Sequence, residues 1–238
     1  MREMDSEPQG YFNHSRSLAV SFLFILPLLL AYEVGMLIMR PPTVSLAGNF
    51  IRWLMYEAFG HRAALAFNLA AMLAIGASLF ALRKTGGVRI KIFPGVVVES
   101  LAYGLLLTQF MPLVVAYALP MAQIAGGASA TVANDIILSI GAGVYEEIVF
   151  RLGVMTAVYY VVLKLSDKKW AAVVGAIVIS SVVFSASHYL GGTESPALKS
   201  FVFRAIGGMC FAAIYIYRGL AVACYSHAFY DILVVTLG

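Results

Sequence analysis

The sequence predicts an all-α fold, a polytopic membrane helical bundle of about seven transmembrane helices. Hydrophobic residues make up 61% of the 238 residues and charged residues only 12%, about half of the ~25% charged share of a typical soluble domain. Several apolar runs reach the roughly 20 residues that a helix needs to cross a bilayer. We therefore expect a polar N-terminal segment at the surface, residues 1–16, and a single membrane domain, residues 17–238.

The apolar runs divide into seven predicted spans. We place them at about residues 18–39, 62–82, 92–119, 134–163, 170–189, 200–217 and 220–236. The first run could imitate a signal peptide, but it is too long and lacks a cleavage site, so we expect it to be retained. Residues 43–60 predict an interfacial helix. Asn134 or Asp135 is expected to cap the fourth span, and Pro94 and Pro112 are expected to kink the third.

Basic residues mark one side of the predicted bundle. They occur in the loops 83–91, 164–169 and 218–219, whereas the loop 120–131 has neither Lys nor Arg. The positive-inside rule therefore predicts that these basic loops and the N-terminus are cytoplasmic, most simply in the cell (inner) membrane. We interpret the net charge of +4 as this topology signal, and we expect no nucleic-acid partner.

Three ionisable side chains lie together within the fourth span: Glu146, Glu147 and Arg151. Each costs roughly 2.5–3.5 kcal/mol at the centre of a membrane helix, so each needs a partner, a wet cavity or a chemical role. Glu147 and Arg151 are spaced i,i+4, which predicts an ion pair. Glu146 points about 100° away and has no such cation, so we predict that it is the general base. A purely structural ion pair explains Glu147 and Arg151 but leaves the second acid unexplained.

Two further i,i+4 pairs carry polar groups. Phe184 and His188 lie at the end of the fifth span, where a single histidine is often only an interface residue, and His227 and Asp231 lie inside the seventh span. Asp231 can accept a hydrogen bond from His227 and select its tautomer. We expect the three spans to bring these groups to one site. His227 is only roughly 13 Å along its helix from Arg218, so we expect the seventh span to be short or deep-set, or Arg218 to lie below the headgroups.

A resemblance rests on three motifs on three separate spans, all within residues 134–236: Glu146-Glu147-xxx-Arg151, Phe184-xxx-His188 and His227-xxx-Asp231. These motifs resemble those of the CPBP family of intramembrane proteases. That family includes type II CaaX prenyl proteases and the bacteriocin-processing or self-immunity (Abi) proteins. The resemblance implies an endopeptidase site inside the bundle, held together by Glu147 and Arg151. Its partners would be the lipid bilayer and a peptide or membrane-protein substrate.

The resemblance also implies roles for the remaining motif residues. Glu146 and His188 would activate a water molecule, and His227 with residue 231 would stabilise the oxyanion. Some family members have Asn at the last position, and an ionised Asp cannot donate a hydrogen bond as Asn does. Asp231 therefore orients His227, is protonated, or ligates a metal. We favour a site without a cofactor; the alternative is a zinc ion held by Glu146, His188, His227 and Asp231.

Other classes of membrane protein provide two alternatives. A proton-coupled transporter could use the intramembrane polar residues as a relay: Glu33, Glu99, Glu146, His188, Arg204 and His227. Transporters often contain repeated halves, and none is visible here. A non-catalytic immunity or partner protein could keep the motifs as structure. We expect Glu33 and Glu99 to serve helix packing, and Arg204 to reach the surface or a carboxylate. The zinc-protease motif HExxH is absent.

Overall fold

The computed structural model describes residues 10–39, 89–118, 131–189 and 196–237, together with positions 73, 76, 77 and 80. Within these residues the chain is helical and forms no strand. We label the helices in chain order: α1 Tyr11–Ser15, α2 Leu18–Met39, α3 Phe93–Ala118, α4 Val132–Glu146, α5 Thr156–Ser166, α6 Lys169–Ser187, α7 Leu198–Arg218 and α8 Leu220–Leu237. A 3-10 turn, Ile90–Ile92, precedes α3, and a π-helical segment, Glu147–Met155, joins α4 to α5.

Six of the described helical runs are long and apolar enough to cross a membrane. They are Leu18–Ile38, Ile90–Val114, Val132–Ser166, Lys169–Ser187, Leu198–Arg218 and Leu220–Leu237. The prediction of an all-α membrane bundle is therefore confirmed, and this chain is an integral membrane protein. The predicted interfacial helix, 43–60, lies outside the described residues, and so does nearly all of the predicted second span, 62–82.

The ends of two helices differ from the sequence prediction. Thr131 caps α4, because its extended backbone lets its hydroxyl accept a hydrogen bond from the Asn134 N–H at 3.4 Å. The predicted cap at Asn134 or Asp135 is therefore wrong, since both already lie in the first turn. Pro94 does not break the third span: it occupies the first turn of α3, where its missing N–H leaves no hydrogen bond unmade. Pro112 lies inside α3.

Helix α8 lies at the centre of the bundle and packs most extensively against α3 and α4. Every residue from Leu220 to Ala228 is buried. Small residues allow this close packing. A Cβ on Gly143 of α4 would lie 2.6 Å from the Ala228 nitrogen, well inside van der Waals contact. The two helix backbones therefore touch at the level of His227, next to the acidic pair that ends α4.

A buried arginine at the end of α7 forms an ion pair with α3. Arg218 donates through Nε and Nη2 to the two carboxylate oxygens of Glu99, and it is only 5% exposed. The Tyr11 hydroxyl donates to the same carboxylate at 2.6 Å, and Arg218 also donates to the Ser15 hydroxyl at 3.2 Å. The guanidinium lies over the Phe12 ring, 4.3 Å from its centre. Arg218 is thus buried in the bundle.

This cluster changes the interpretation of the N-terminal segment. We expected residues 1–16 at the surface, but Ser15 is fully buried and His14 is nearly so. Arg16 donates from Nη2 to the Ile216 carbonyl oxygen at 3.0 Å, so α1 packs across the turn between α7 and α8. That turn is tight, with Gly219 at a φ of 87°. The surface prediction is therefore wrong for His14 and Ser15, whereas Phe12 and Asn13 are exposed and residues 1–9 lie outside the described residues.

Candidate active site

The acidic pair lies where the α-helical geometry of the fourth span changes. Residues Glu147–Met155 form a π-helix between α4 and α5, with hydrogen bonds that are one residue longer than in an α-helix. π-Helical segments are rare in proteins, and those that occur are often found at functional sites. The i,i+4 rule that predicted the Glu147–Arg151 pair assumes an α-helix, yet the pair forms, with Arg151 Nε 3.3 Å from Glu147 Oε2. The sequence contained no signal that we recognised for the π-helical segment.

Glu147 connects its own helix to α8. Its Oε1 atom accepts a hydrogen bond from Nδ1 of His227 at 2.9 Å, while its Oε2 atom pairs with Arg151. Glu147 and Arg151 are fully buried, and His227 is 4% exposed. A carboxylate that accepts from Nδ1 selects the tautomer of the ring and its orientation. We expected Asp231 to do this, but the structure places Glu147 on that nitrogen.

The other nitrogen of His227 faces two more carboxyl groups. Nε2 lies 3.6 Å from Glu146 Oε2 and 3.6 Å from Asp231 Oδ2, just beyond hydrogen-bond distance. Glu146 is buried, whereas the Asp231 side chain is 30% exposed. Glu146 and Glu147 are neighbours in sequence, but they approach opposite nitrogens of one imidazole. The sequence predicted different neighbours for the two acids. In the structure both acids approach His227, Glu147 at Nδ1 and Glu146 at Nε2.

His188 joins the group through the ring of Phe184. Its Nδ1 lies 2.9 Å from the Phe184 carbonyl oxygen, which can only accept, so Nδ1 is the donor and a neutral His188 keeps Nε2 as its basic nitrogen. The Phe184 ring lies 4.9 Å from the His188 ring and 6.3 Å from the His227 ring. Its face also receives the Arg151 guanidinium, at 4.9 Å. The Phe184 ring is thus in contact with residues of all three motifs.

The structure therefore brings most of the predicted site residues into one contact group. Direct side-chain contacts join five of them: Glu146, Glu147, Arg151, His227 and Asp231. The structure also shows a neighbour of His227 that the sequence analysis did not identify. Phe211 of α7 stacks on the His227 ring, with 4.2 Å between ring centres and 15° between planes. No motif distinguishes Phe211 among the 15 phenylalanines of the chain, so sequence reasoning missed it.

The remaining intramembrane charges have other partners. Glu33 accepts a hydrogen bond from the Tyr145 hydroxyl at 2.8 Å, and Glu99 is held by Arg218. Both contacts join different helices, which confirms the predicted packing roles. Arg204 donates to a serine hydroxyl one turn earlier, at 2.7 Å.

The zinc alternative names four of these residues: Glu146, His188, His227 and Asp231. Among the described residues, no group of three or more His, Cys, Asp or Glu side chains is placed to hold a metal ion. In the predicted set, Nδ1 of His227 donates to Glu147, so Nε2 is the ring nitrogen that a metal could bind. We derive no chemical step through a metal.

One comparison with known proteins gives a match to a family model. Residues 128–233 match the family model described as "Type II CAAX prenyl endopeptidase Rce1-like". No curated protein and no solved structure gives a significant match. The matched region contains α4, the π-helical segment and the helices from α5 to α7 complete, and most of α8, so it includes every predicted site residue. Residues 128–233, somewhat under half of the chain, are therefore similar to the Rce1-like type II CAAX prenyl endopeptidases, and this similarity supports an intramembrane protease of the CAAX type in general.

Proposed function

We propose that this protein hydrolyses a peptide bond of a membrane-associated peptide or protein, using a water molecule activated by Glu146 and His188. The single observation that supports this proposal best is the pair of adjacent acids on opposite nitrogens of His227. One acid fixes the ring from Nδ1. The other lies 3.6 Å from Nε2, where a bound water or a substrate carbonyl can reach both groups.

In the proposed reaction, Glu146 removes a proton from the water molecule, and the basic Nε2 of His188 helps to orient that water. The water oxygen forms a bond to the carbonyl carbon, and the carbonyl π electrons move to its oxygen. When this tetrahedral intermediate collapses, the C–N bond breaks and Glu146 returns its proton to the leaving amine. The base and the acid are then the same carboxyl group, acting at two successive steps.

His227 is proposed to stabilise the negative oxygen of the intermediate. Because Nδ1–H is already donated to Glu147, only Nε2–H is available for the oxyanion, so this role requires the doubly protonated ring. Three carboxyl groups surround that ring, and the Arg151 charge balances one of them. Asp231 can donate to the oxyanion only when it is protonated; when ionised, it orients His227 and stabilises its positive charge.

The substrate class and the orientation of the protein are also proposals. The family description points to a prenylated C-terminal peptide, and an unprenylated precursor peptide or the tail of a membrane protein is the alternative. The basic loops 83–91 and 164–169 support an N-terminus in the cytoplasm and a location in the cell (inner) membrane. Labelling of single engineered cysteines in these two loops, in intact cells, tests the orientation.

The decisive experiment follows the oxygen of water. Purified protein in lipid nanodiscs is incubated with a farnesylated peptide and its unprenylated counterpart in H₂¹⁸O, and the products are analysed by mass spectrometry. Hydrolysis places one ¹⁸O atom in the new carboxyl group. We expect Glu146→Gln to reduce cleavage by about 10²–10⁴-fold. Glu33→Gln is the matched control, because this intramembrane glutamate binds Tyr145 outside the contact group and Gln keeps the accepting oxygen.

The other outcomes point to other functions. Cleavage that survives Glu146→Gln contradicts the mechanism. Cleavage that is lost when a chelator is added, and restored by zinc, contradicts a cofactor-free site. Proton uptake by proteoliposomes without any peptide cleavage favours the transporter. A cellular phenotype that persists when Glu146, His188 and His227 are all substituted favours the non-catalytic partner protein.

A further inference from the structure

We propose that Phe211 is a positioning residue for His227: its ring holds the imidazole in the plane in which Nδ1 meets Glu147 and Nε2 meets Glu146. The inference deepens the proposed function and rests on it. Phe211 is 3% exposed, and its ring is nearly parallel to that of His227, 4.2 Å between centres. It belongs to α7, a helix that contributes none of the three motifs.

The geometry explains why a flat ring is needed. Turning the imidazole about its Cβ–Cγ bond exchanges nitrogen for carbon at both working positions, so the hydrogen bond from Nδ1 to Glu147 would be lost. To make that turn, the ring must pass through a perpendicular orientation. With Phe211 parallel to it at 4.2 Å, that orientation drives an imidazole edge into the phenyl face. The Phe184 ring, which lies at 73° to the imidazole, is a further neighbour.

The neighbouring sequence explains how α7 brings Phe211 close enough. Gly208 precedes it by one turn, on a similar face of the helix. A Cβ at Gly208 would lie 3.1 Å from the Phe184 ring and 3.1 Å from the Ser181 side chain, so glycine permits a close approach of α7 to α6. Phe211 can therefore reach His227 of α8 across a site that is otherwise built from α4, the π-helical segment, α6 and α8.

The plainer interpretation is that Phe211 only fills the core, and the two interpretations differ in what they predict. A core-filling role predicts that substitutions lower stability and leave kcat unchanged for the folded fraction. A positioning role predicts a fall in kcat with little change in KM, because the oxyanion forms only in the transition state. It also predicts that the single tautomer and orientation of His227 are lost when the flat ring is removed.

The experiment compares Phe211→Leu and Phe211→Met with Phe24→Leu as the matched control. Phe24 is 4% exposed and packs on Phe93, in a different part of the bundle. Met supplies a flexible chain that fills the space without a flat face, so it provides a second variant if Leu folds poorly. Thermal unfolding measures stability, and cleavage of the peptide measures kcat and KM. ¹⁵N-histidine NMR in lipid reports the nitrogen shifts of the four histidines, with His227 assigned by substitution.

We expect kcat for both Phe211 variants to fall by about tenfold or more, with KM changed less than about threefold. We expect the His227 nitrogen signals to change from one set to an exchange-broadened or doubled set. The proposal is overturned if kcat stays within about twofold of wild type, or if it falls only as far as Phe24→Leu lowers it for the same loss of stability. If wild type cleaves no peptide, the proposed function fails. The NMR result alone then decides the role of Phe211: unchanged His227 signals overturn it.

Discussion

Removing Glu147 tests the electrostatic core of the site, because this carboxylate serves two donors at once. In Glu147→Gln, the fully buried guanidinium of Arg151 loses its counter-charge, and no Arg151 nitrogen has a hydrogen-bond partner among the described residues. Leaving a charge buried and unpaired in this way costs roughly 3–5 kcal/mol. The Phe184 face, 4.9 Å from the guanidinium, offsets only part of that cost. We therefore expect Glu147→Gln to lower the free energy of unfolding by about 3 kcal/mol or more.

Removing Arg151 instead should cost less. In Arg151→Met, Glu147 keeps its hydrogen bond with His227 at 2.9 Å, so the buried carboxylate retains a donor that can also carry charge. We expect a loss of about 1–3 kcal/mol, the range for a buried polar group that loses one of its partners. In the double variant no guanidinium is left unpaired. The double variant should therefore be more stable than Glu147→Gln alone, which is the signature of a coupled pair.

The assay uses a cysteine that the chain already contains. Cys224 is fully buried in α8, three residues before His227, and Cys210 is half-buried. In a Cys210→Ala background, the reaction of Cys224 with a thiol-specific dye reports the opening of α8 during denaturant-driven unfolding in mixed micelles. The free energies of wild type, both single variants and the double variant complete the cycle. The reasoning is refuted if Arg151→Met is as destabilising as Glu147→Gln, or if the double variant is no more stable than Glu147→Gln.

Three further predictions concern other parts of the bundle. Gly143→Ala should lower the free energy of unfolding by about 1–3 kcal/mol and reduce cleavage, because a Cβ there meets the α8 backbone at 2.6 Å. Gly207→Ala is the control, because a Cβ there would have its nearest neighbour at 3.6 Å. Equal effects in the two variants would contradict the prediction. Arg218→Met should lower the free energy of unfolding by about 1–3 kcal/mol, because Glu99 keeps its hydrogen bond with the Tyr11 hydroxyl. Adding Glu99→Gln should restore part of that loss in the same dye assay, and no recovery would argue against a coupled pair. Burial of the ring, and to a smaller extent the positive charge of Arg89, lower the pKa of His14 below its usual 6.5. The unfolded chain then binds more protons than the folded chain below about pH 6.5, so stability falls as the pH is lowered through that range. His14→Gln should make the melting temperature depend less on pH in that range. An unchanged pH dependence would refute the prediction.

The positions of the spans followed largely from the sequence, for a simple reason. An apolar run is buried away from water whatever the packing of the rest of the chain, and the thickness of the bilayer sets the length of a run that spans it. The first predicted span, 18–39, has the observed bounds of α2, and the predicted spans 170–189, 200–217 and 220–236 lie within two residues of the observed helices at each end. Local details were harder. Capping at Thr131 depends on the backbone angles just before a helix, which a list of capping residues does not reveal.

The polar residues of the contact group could also be identified from the sequence alone, because ionisable side chains within apolar spans are energetically costly and therefore few. Their partners were not. Which nitrogen of His227 meets which acid depends on the rotation and depth of α4 and α8. The stacking of Phe211 depends on how closely α7 approaches, and the burial of Arg218 depends on α1 folding over the turn. Patterning along one helix shows which face is polar, but contacts between residues 80 positions apart in sequence, such as Glu147 with His227, are set by the packing of the whole bundle.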